Sequence, residues 1–161
     1  MSSKFHVERK DWSQIKHRIL ENYVALFISK LASSRGYLYF IDGFAGQGKY
    51  GDGSEGSPLI AAKRAVNPIS PRHAGVLRCI NVEDDPESFR NLEENTRAYT
   101  TNGLVENFYG SFQEHLPGIL KRIHGRMALF FVDPLGAKGV ELQNIELIAK
   151  RGPSTEVLVR F

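Results

Sequence analysis

The stretch Tyr37-Leu-Tyr-Phe-Ile-Asp-Gly-Phe-Ala-Gly-Gln-Gly48 decides the fold of this 161-residue chain. Its first half, residues 37–41, is β-branched and aromatic in character, which predicts a strand. Its second half opens a glycine-rich loop that continues to Pro58 and is too long for a tight turn. Glycines at such a point let the backbone approach a ligand closely. The end of this strand is therefore the first place to look for a site.

Strands and helices alternate outward from this stretch. Further strands are predicted at residues 76–82, 104–109, 127–132 and 156–161. The helices between them are marked by Ser57 as N-cap before Pro58, Asp85 before Pro86, the capping box Ser111-Phe-Gln-Glu114, and an apolar face of Leu142, Ile145 and Ile148. Pro117 favours a later start for the third of these helices. Regular alternation indicates a three-layer α/β fold with a doubly wound parallel sheet, whose ligands sit beyond the C-terminal ends of the strands.

Residues 1–35 predict a basic amphipathic helix ahead of the α/β domain of residues 36–161. We expect Asp11 to be its N-cap and an apolar stripe to face the core, made of Trp12, Ile15, Ile19, Tyr23, Leu26 and Phe27. This segment holds seven Lys or Arg against three Asp or Glu. A basic arm can meet the phosphates of a nucleic acid or an acidic partner, or it can be only a solvated helix face.

The composition excludes several classes of protein. The chain is 42% hydrophobic and 24% charged, which is ordinary for one globular domain. No apolar run is long enough for a membrane span, and the N-terminus lacks the apolar region of a secretory signal. Cys79 is the single cysteine and falls within a predicted strand, so we expect a small core residue and no disulfide. No histidine pair has metal-ligand spacing near a carboxylate. These features predict a cytoplasmic protein without a metal site.

The glycine loop fits two nucleotide-binding patterns incompletely. Gly46-x-Gly48-x-x-Gly51 matches a dinucleotide fingerprint, which is weak evidence alone. Gly43-x-x-x-x-Gly48-Lys49 matches most of a phosphate-binding loop, but Tyr50 stands where Ser or Thr would hold Mg²⁺. A nucleotide hydrolase that binds ATP and Mg²⁺ through Lys49 therefore stays open as an alternative, as does a structural loop without a ligand.

Polar residues also follow three of the other strands. Glu83-Asp84-Asp85 follows the second strand, where a carboxylate can accept both hydroxyls of a ribose. Gly110-Ser111 follows the third, where the Ser hydroxyl could touch an adenine edge or only cap the next helix. Asp133-Pro134 follows the fourth, where an Asp before Pro is a costly arrangement unless it binds something or opens a turn.

The combination of Asp42-Gly-Phe-Ala-Gly-x-Gly48, Glu83 and Asp133-Pro134 resembles the class I S-adenosylmethionine (SAM)-dependent methyltransferases, which have a Rossmann-like fold. The resemblance implies that SAM is the cofactor. It implies that the glycine loop holds the methionine part, through Asp42, Gly43, Phe44, Ala45, Gly46 and Gly48. It implies that Glu83 with Asp84 takes the ribose and that Ser111 or Phe112 meets the adenine. Asp133 and Pro134 would then line the methyl-acceptor side as the catalytic candidates.

More narrowly, the chain resembles the three-Cys-motif partner protein (TcmP) family. The matching motifs are Trp12-x-x-x-Lys16-His17-x-Ile19-Leu20-x-x-Tyr23, Tyr39-Phe-Ile-Asp-Gly-Phe-Ala-Gly-x-Gly-x-Tyr50 and Phe131-Val-Asp-Pro-Leu-Gly136. The resemblance implies two functions: a methyltransferase-like protein acting on a nucleic acid, or a non-catalytic partner of a three-Cys-motif protein. Leu135 and Gly136 replace the Pro and aromatic residue of adenine amino-methyltransferases, which favours the second. We also expect the sheet to be truncated after its fifth strand, leaving an exposed edge.

Overall fold

The computed structural model describes residues 2–31, 36–133 and 141–159, with side chains described from residue 15 onward, apart from residue 16. Ten helices and strands follow one another in these ranges: α1 Ser2–Leu31, β1 Leu38–Asp42, α2 Ser57–Val66, β2 Leu77–Glu83, α3 Pro86–Thr101, β3 Val105–Tyr109, α4 Phe112–Arg122, β4 Ala128–Val132, α5 Leu142–Ala149 and β5 Thr155–Val159. Single 3₁₀ turns precede β2 and β5. The predicted alternation is confirmed, and the described strand bounds lie within two residues of the predicted ones; residues 160 and 161 of the last predicted strand lie outside the described residues.

The five strands form one sheet in the order β3-β2-β1-β4-β5, and all neighbouring pairs are parallel. This arrangement confirms the predicted fold class. Asp42, the last residue of β1, lies in register with Asn81 of β2 on one side and Phe131 of β4 on the other. The chain order reverses direction between β1 and β4, and such a switch point opens a crevice at the C-terminal edge of the sheet.

Apolar side chains cover both faces of the sheet. Alternate residues of a strand point to opposite faces, so Leu38 and Phe40 of β1 pack with α1 and α2, whereas Ile41 packs with α4. The neighbouring strand β4 divides in the same way, with Leu129 on the first face and Phe130 on the second. Burial on both faces explains why β4 reads as a continuous apolar run.

The structure corrects the prediction for the first helix. α1 begins at Ser2, so Asp11 lies within the helix and is not its N-cap. The buried face is formed by Leu20, Val24, Ala25, Phe27 and Ile28. Of the predicted stripe, Phe27 is buried, whereas Ile15, Ile19 and Leu26 are 48%, 55% and 56% exposed and Tyr23 is also exposed; the side chain of Trp12 lies outside the described part of the chain. The two stripes are both apolar and lie side by side on the helix, so the spacing of the residues could not decide which one meets the core.

Two smaller predictions about helix ends were also wrong. Gly56, and not Ser57, is the N-cap of α2. Pro117 lies inside α4 and does not delay its start, because the Ser111 capping box already fixes the first turn. The helix predicted from Leu142, Ile145 and Ile148 is confirmed as α5, in which Ile148 is buried with Asn144 while Leu142 is 74% exposed. Among the described residues, no helix is long and apolar enough to cross a membrane.

Candidate functional site

The C-terminal ends of β1, β2 and β4 bring three predicted acids to one edge of the sheet. These acids are Asp42, Glu83 and Asp133, separated by up to 91 positions in the sequence. A cleft of about 400 Å³ opens beside them, lined by Gly43, Phe44, Val82, Glu83, Asp84, Gly110, Ser111, Phe112, Gln113 and Glu141. This volume lies within the range of small-molecule sites.

Glu83 holds the glycine loop against the end of β2. Its Oε2 accepts a hydrogen bond of 2.6 Å from the N–H of Gly46, and its Oε1 accepts one of 2.9 Å from the N–H of Asp85. The N–H of Ala45 donates to the carbonyl of Val82 at 3.0 Å. Each carboxylate oxygen has a further lone pair, so Glu83 can still accept hydrogen bonds from a ligand in the cleft.

The loop after Gly48 forms a small antiparallel turn. Lys49 pairs with Glu55 across an isolated bridge, and the N–H of Gly56 donates to the carbonyl of Gly48 at 2.8 Å. Helix α2 begins only at Ser57, so Lys49 does not stand at a helix N-terminus. A phosphate-binding loop needs free N–H groups and a lysine at that place. Here Glu83 takes the N–H of Gly46, which argues against the hydrolase alternative.

Asp42 is completely buried at the base of the site. Its Oδ1 accepts a hydrogen bond of 3.2 Å from the N–H of Phe44, whereas its Oδ2 has no hydrogen-bond partner among the described residues. Burial raises the pKa of Asp42 from 3.8 to about 7. The Ser57 side chain and the Phe44 N–H lower this pKa by less, and the negative charges of Asp133 and Glu83 raise it further. Removing the carboxylate from water disfavours its charged form.

The start of α4 forms the opposite wall of the cleft. Ser111 caps the helix: its Oγ accepts from the N–H of Glu114 at 3.3 Å, and Glu114 accepts from the N–H of Ser111. Phe112 is only 2% exposed, and its ring packs 5.8 Å from the ring of Phe44. An added Cβ on Gly43 would lie 2.9 Å from the Phe112 ring. Glycine is therefore required at position 43 for the strand end to pack against α4.

The predicted site residues fall into two groups. Gly43, Phe44, Glu83, Asp84, Ser111 and Phe112 line the cleft. Asp42, Ala45, Gly46 and Gly48 lie behind it, where they shape the loop. Asp133 is half-buried at the end of β4, and Pro134 lies outside the described residues. Sequence reasoning missed Gln113 and Glu141, whose only signals were their places at the starts of α4 and α5.

The charge of the cleft favours a cationic ligand. Three carboxylates line it, from Glu83, Asp84 and Glu141, and none of the described residues that line it is Lys or Arg. A phosphate-rich ligand would meet repulsion here, whereas a sulfonium or ammonium group would be attracted. Within residues 2–31, 36–133 and 141–159, no group of three or more His, Cys, Asp and Glu is placed to hold a metal ion.

Comparison with solved structures places this architecture among methyltransferase-type folds. A methyltransferase from Geobacter sulfurreducens matches 84% of the chain with a TM-score of 0.50 and 11% identity, and the match covers 52% of that protein. A hypothetical protein from Thermus thermophilus matches 87% with a TM-score of 0.51 and 22% identity, covering 65% of that protein. A SAM-dependent methyltransferase from Agrobacterium tumefaciens matches 74% with a TM-score of 0.46 and 13% identity, covering 30% of that protein.

The chain therefore has a Rossmann-like fold that it shares with the Geobacter methyltransferase, and it spans between about a third and two thirds of the length of the three proteins named. No family model matches its sequence, and no curated protein matches it.

Proposed function

We propose that the cleft binds SAM and that the protein is methyltransferase-like. The observation that carries this proposal is the acidic lining of the cleft by Glu83, Asp84 and Glu141, beside the switch point of the sheet. By its motifs we assign the chain to the three-Cys-motif partner family. The cytoplasmic location stays a prediction from the sequence.

The residues present suit each part of SAM. The methionine part carries an ammonium and a sulfonium, which match the acidic cleft. The ribose hydroxyls can donate to the remaining lone pairs of Glu83, and the exposed carboxylate of Asp84 lies beside it. The Phe44 ring offers an apolar wall, and the Ser111 hydroxyl can donate a hydrogen bond to the adenine.

When bound, SAM would supply an electrophilic methyl group for transfer to a nucleophile. In this proposal the protein contributes by positioning the two reactants. Asp133, at the end of β4, would orient the acceptor by accepting a hydrogen bond from it. A nucleic acid is the proposed acceptor, and the exposed Arg18 of α1 belongs to the basic segment that would contact its phosphates.

We expect calorimetric titration to show SAM binding that depends on Glu83. Replacing Glu83 with Gln keeps the shape but puts an NH₂ group where one oxygen accepted hydrogen bonds. The change removes a negative charge and one acceptor from the ribose side, and it sets a donor against a backbone N–H. We expect at least a tenfold loss of affinity, about 1.4 kcal/mol, in line with the cost of losing a charge-assisted hydrogen bond.

The control is Glu93→Gln, an exposed acid on α3 that does not line this cleft; this variant should bind SAM like the wild type. ATP with Mg²⁺ is titrated in parallel. Absence of SAM binding to folded wild-type protein would contradict the proposal, and ATP binding that is lost in Lys49→Ala would instead favour the hydrolase.

A second candidate function, binding of a three-Cys-motif protein without catalysis, is favoured by the outer face of α1. Ile15, Ile19 and Leu26 form an exposed apolar stripe there, and Arg18 and Lys30 are exposed beside it. Apolar side chains flanked by positive charge suit an amphipathic, acidic segment of a partner protein. We propose that such a segment of the three-Cys-motif protein docks on this stripe.

We expect a purified three-Cys-motif protein to co-elute with the wild-type chain in size-exclusion chromatography and to separate from Ile19→Glu. A carboxylate at this exposed position breaks the stripe but leaves the fold intact, because surface substitutions change stability by only about 0.5 kcal/mol. Gln143→Glu on α5, also exposed, serves as the charge-matched control. Co-elution of Ile19→Glu with the partner would rule out this face of α1.

A further inference from the structure

A row of polar side chains crosses the sheet behind the candidate site. Asp42 of β1, Asn81 of β2 and Asn107 of β3 are in register with one another. Asp42 and Asn81 are completely buried. Their strand neighbours Phe40 and Cys79, two positions earlier, belong to the apolar cluster that faces α1 and α2. Buried polar side chains in such surroundings are costly unless they are hydrogen-bonded to one another.

The hydrogen bonds of this row run in one direction. The Nδ2 of Asn81 donates to the Oδ1 of Asn107 at 2.9 Å, and the Nδ2 of Asn107 donates to the Oγ1 of Thr96 at 2.8 Å. The Thr96 hydroxyl donates in turn to the carbonyl of Leu92 at 2.7 Å. A hydroxyl has a single proton. Because Thr96 gives its proton to Leu92, it can only accept from Asn107, and this sets the orientation of both amides.

Two buried acceptors are left over at the other end of the row. The Nδ2 of Asn81 donates to Asn107 of β3, which leaves its Oδ1 for the β1 side, where Asp42 is the register partner of Asn81. Neither this Oδ1 nor the Oδ2 of Asp42 has a hydrogen-bond partner among the described residues. Two carbonyl-type oxygens repel each other, but they form a strong hydrogen bond when one of them carries a proton.

We propose that Asp42 is protonated on Oδ2 and donates this proton to Oδ1 of Asn81, which makes Asn81 a positioning residue for Asp42. The inference concerns the folded protein without any ligand, so it does not depend on the proposed function. In this arrangement all the hydrogen bonds run from Asp42 through Asn81, Asn107 and Thr96 to the carbonyl of Leu92. The row thereby ties the base of the candidate site to helix α3.

The charges around Asp42 favour its neutral form. Glu83 at the end of β2 and Asp133 at the end of β4 are negative, and both raise the pKa of Asp42. Cys79 of β2 stays neutral, because burial raises the pKa of its thiol to about 12. From α2, Ser57 at the helix N-terminus is the group that favours the carboxylate. Among the described residues, none of the groups that shift the pKa of Asp42 carries a positive charge.

Carbon-13 NMR of the side-chain carboxyl of Asp42, titrated from pH 4 to 9, tests the proposal, with the resonance assigned by its loss in Asp42→Asn. In Asn81→Ala the neutral form loses its acceptor and water can reach the carboxylate, so we expect the midpoint to fall by at least one pH unit. Cys79→Ala is the matched control, since it opens a similar space on the same face of β2. Its midpoint should stay near that of the wild type.

A midpoint that stays unchanged in Asn81→Ala overturns the proposal, because Asn81 would not be the partner of Asp42. A midpoint that rises also overturns it, because Asn81 would then be donating to the carboxylate. If the midpoint falls equally in Cys79→Ala, water entry alone explains the fall, and this result also overturns the proposal.

A measurement on the wild type covers the case in which Asn81→Ala does not fold. The side-chain carbonyl oxygen of Asn81 accepts the shared proton, so the resonance of its carbonyl carbon should titrate with the same midpoint as the Asp42 carboxyl. An Asn81 carbonyl that does not follow the Asp42 titration would reject the shared proton.

Discussion

Asp42→Asn will stabilise the protein above pH 7 and leave its stability below pH 4 nearly unchanged. The pKa of Asp42 is about 7 in the folded protein against 3.8 for the free side chain. An acid whose pKa is raised on folding contributes stability only while it is protonated, so this contribution is lost progressively between about pH 4 and pH 7 and stays lost above. Three units of pKa correspond to about 4 kcal/mol, which is the upper limit of the expected gain.

The substitution has a structural reason to be tolerated. The Oδ1 of the new asparagine side chain can still accept from the N–H of Phe44. Its Nδ2 takes the place of the unpartnered Oδ2 of Asp42, where it can donate to Asn81. An asparagine side chain is thus uncharged at every pH and offers the same donor and acceptor as the protonated acid.

Urea unfolding followed by circular dichroism at pH 5.0, 7.0 and 8.5 measures the effect as a difference from the wild type. The difference cancels the opposite acid-range contributions of Asp85 and Glu114, whose pKa values are lowered by hydrogen bonds to Ser88 and Ser111. Asp84→Asn, at an exposed carboxylate beside the cleft, should show little pH-dependent gain. A stabilisation of Asp42→Asn that does not grow with pH would show that Asp42 is ionised throughout.

Gly43→Ala will destabilise the protein by about 1–3 kcal/mol, the usual cost of inserting a methyl group into a packed core. The backbone of Gly43 is not in the left-handed region, so the cost does not come from its conformation. It comes from the new Cβ, which would lie 2.9 Å from Cδ2 of Phe112 and 3.1 Å from two further ring atoms. The ring is buried and cannot move aside freely.

Two comparisons separate this clash from a general effect of alanine. Gly118→Ala, in the interior of α4 with nothing within 4 Å of the added Cβ, should stabilise the protein by about 0.5–1 kcal/mol. A double-mutant cycle with Phe112→Leu should recover about 1 kcal/mol of the loss, because leucine makes room for the methyl group. Additive effects in this cycle would show that the Phe112 ring is not the obstacle.

The glycine loop shows how much of the site could be predicted. Asp42 and Glu83 each stand at the end of an apolar strand, and parallel strands bring their C-terminal ends to one edge. The alternation of strands and helices alone therefore predicts that these two side chains lie at the same edge of the sheet. What Glu83 does there did not follow: its hydrogen bonds to the backbone of Gly46 and Asp85 depend on where the loop folds back. Asn81 carried no signal, since a polar residue inside a strand usually marks an exposed face.

Helix α1 shows why other predictions failed. Ile19 and Leu20 are adjacent in sequence and equally apolar, but Ile19 is 55% exposed and Leu20 is 3% exposed. Periodicity measures how apolar residues are spaced and contains no information about the direction from which the sheet approaches. The rotation of the helix is decided by its packing on α2 and the sheet, through Val24, Phe27 and Ile28.

The sequence by itself determined the order of the elements, the fold class and the strand ends at which polar residues meet. These features depend on local physics: alternating or continuous apolar runs, Ser111 as a cap, and a glycine-rich break where the first strand ends. Only the tertiary structure decided which face of α1 is buried, that Glu83 accepts from the N–H of Gly46, and that Asp42 and Asn81 are both completely buried. Burial and protonation depend on the distances between groups that are far apart in the chain. Those distances are set by the packing of the helices and strands and cannot be read from local sequence.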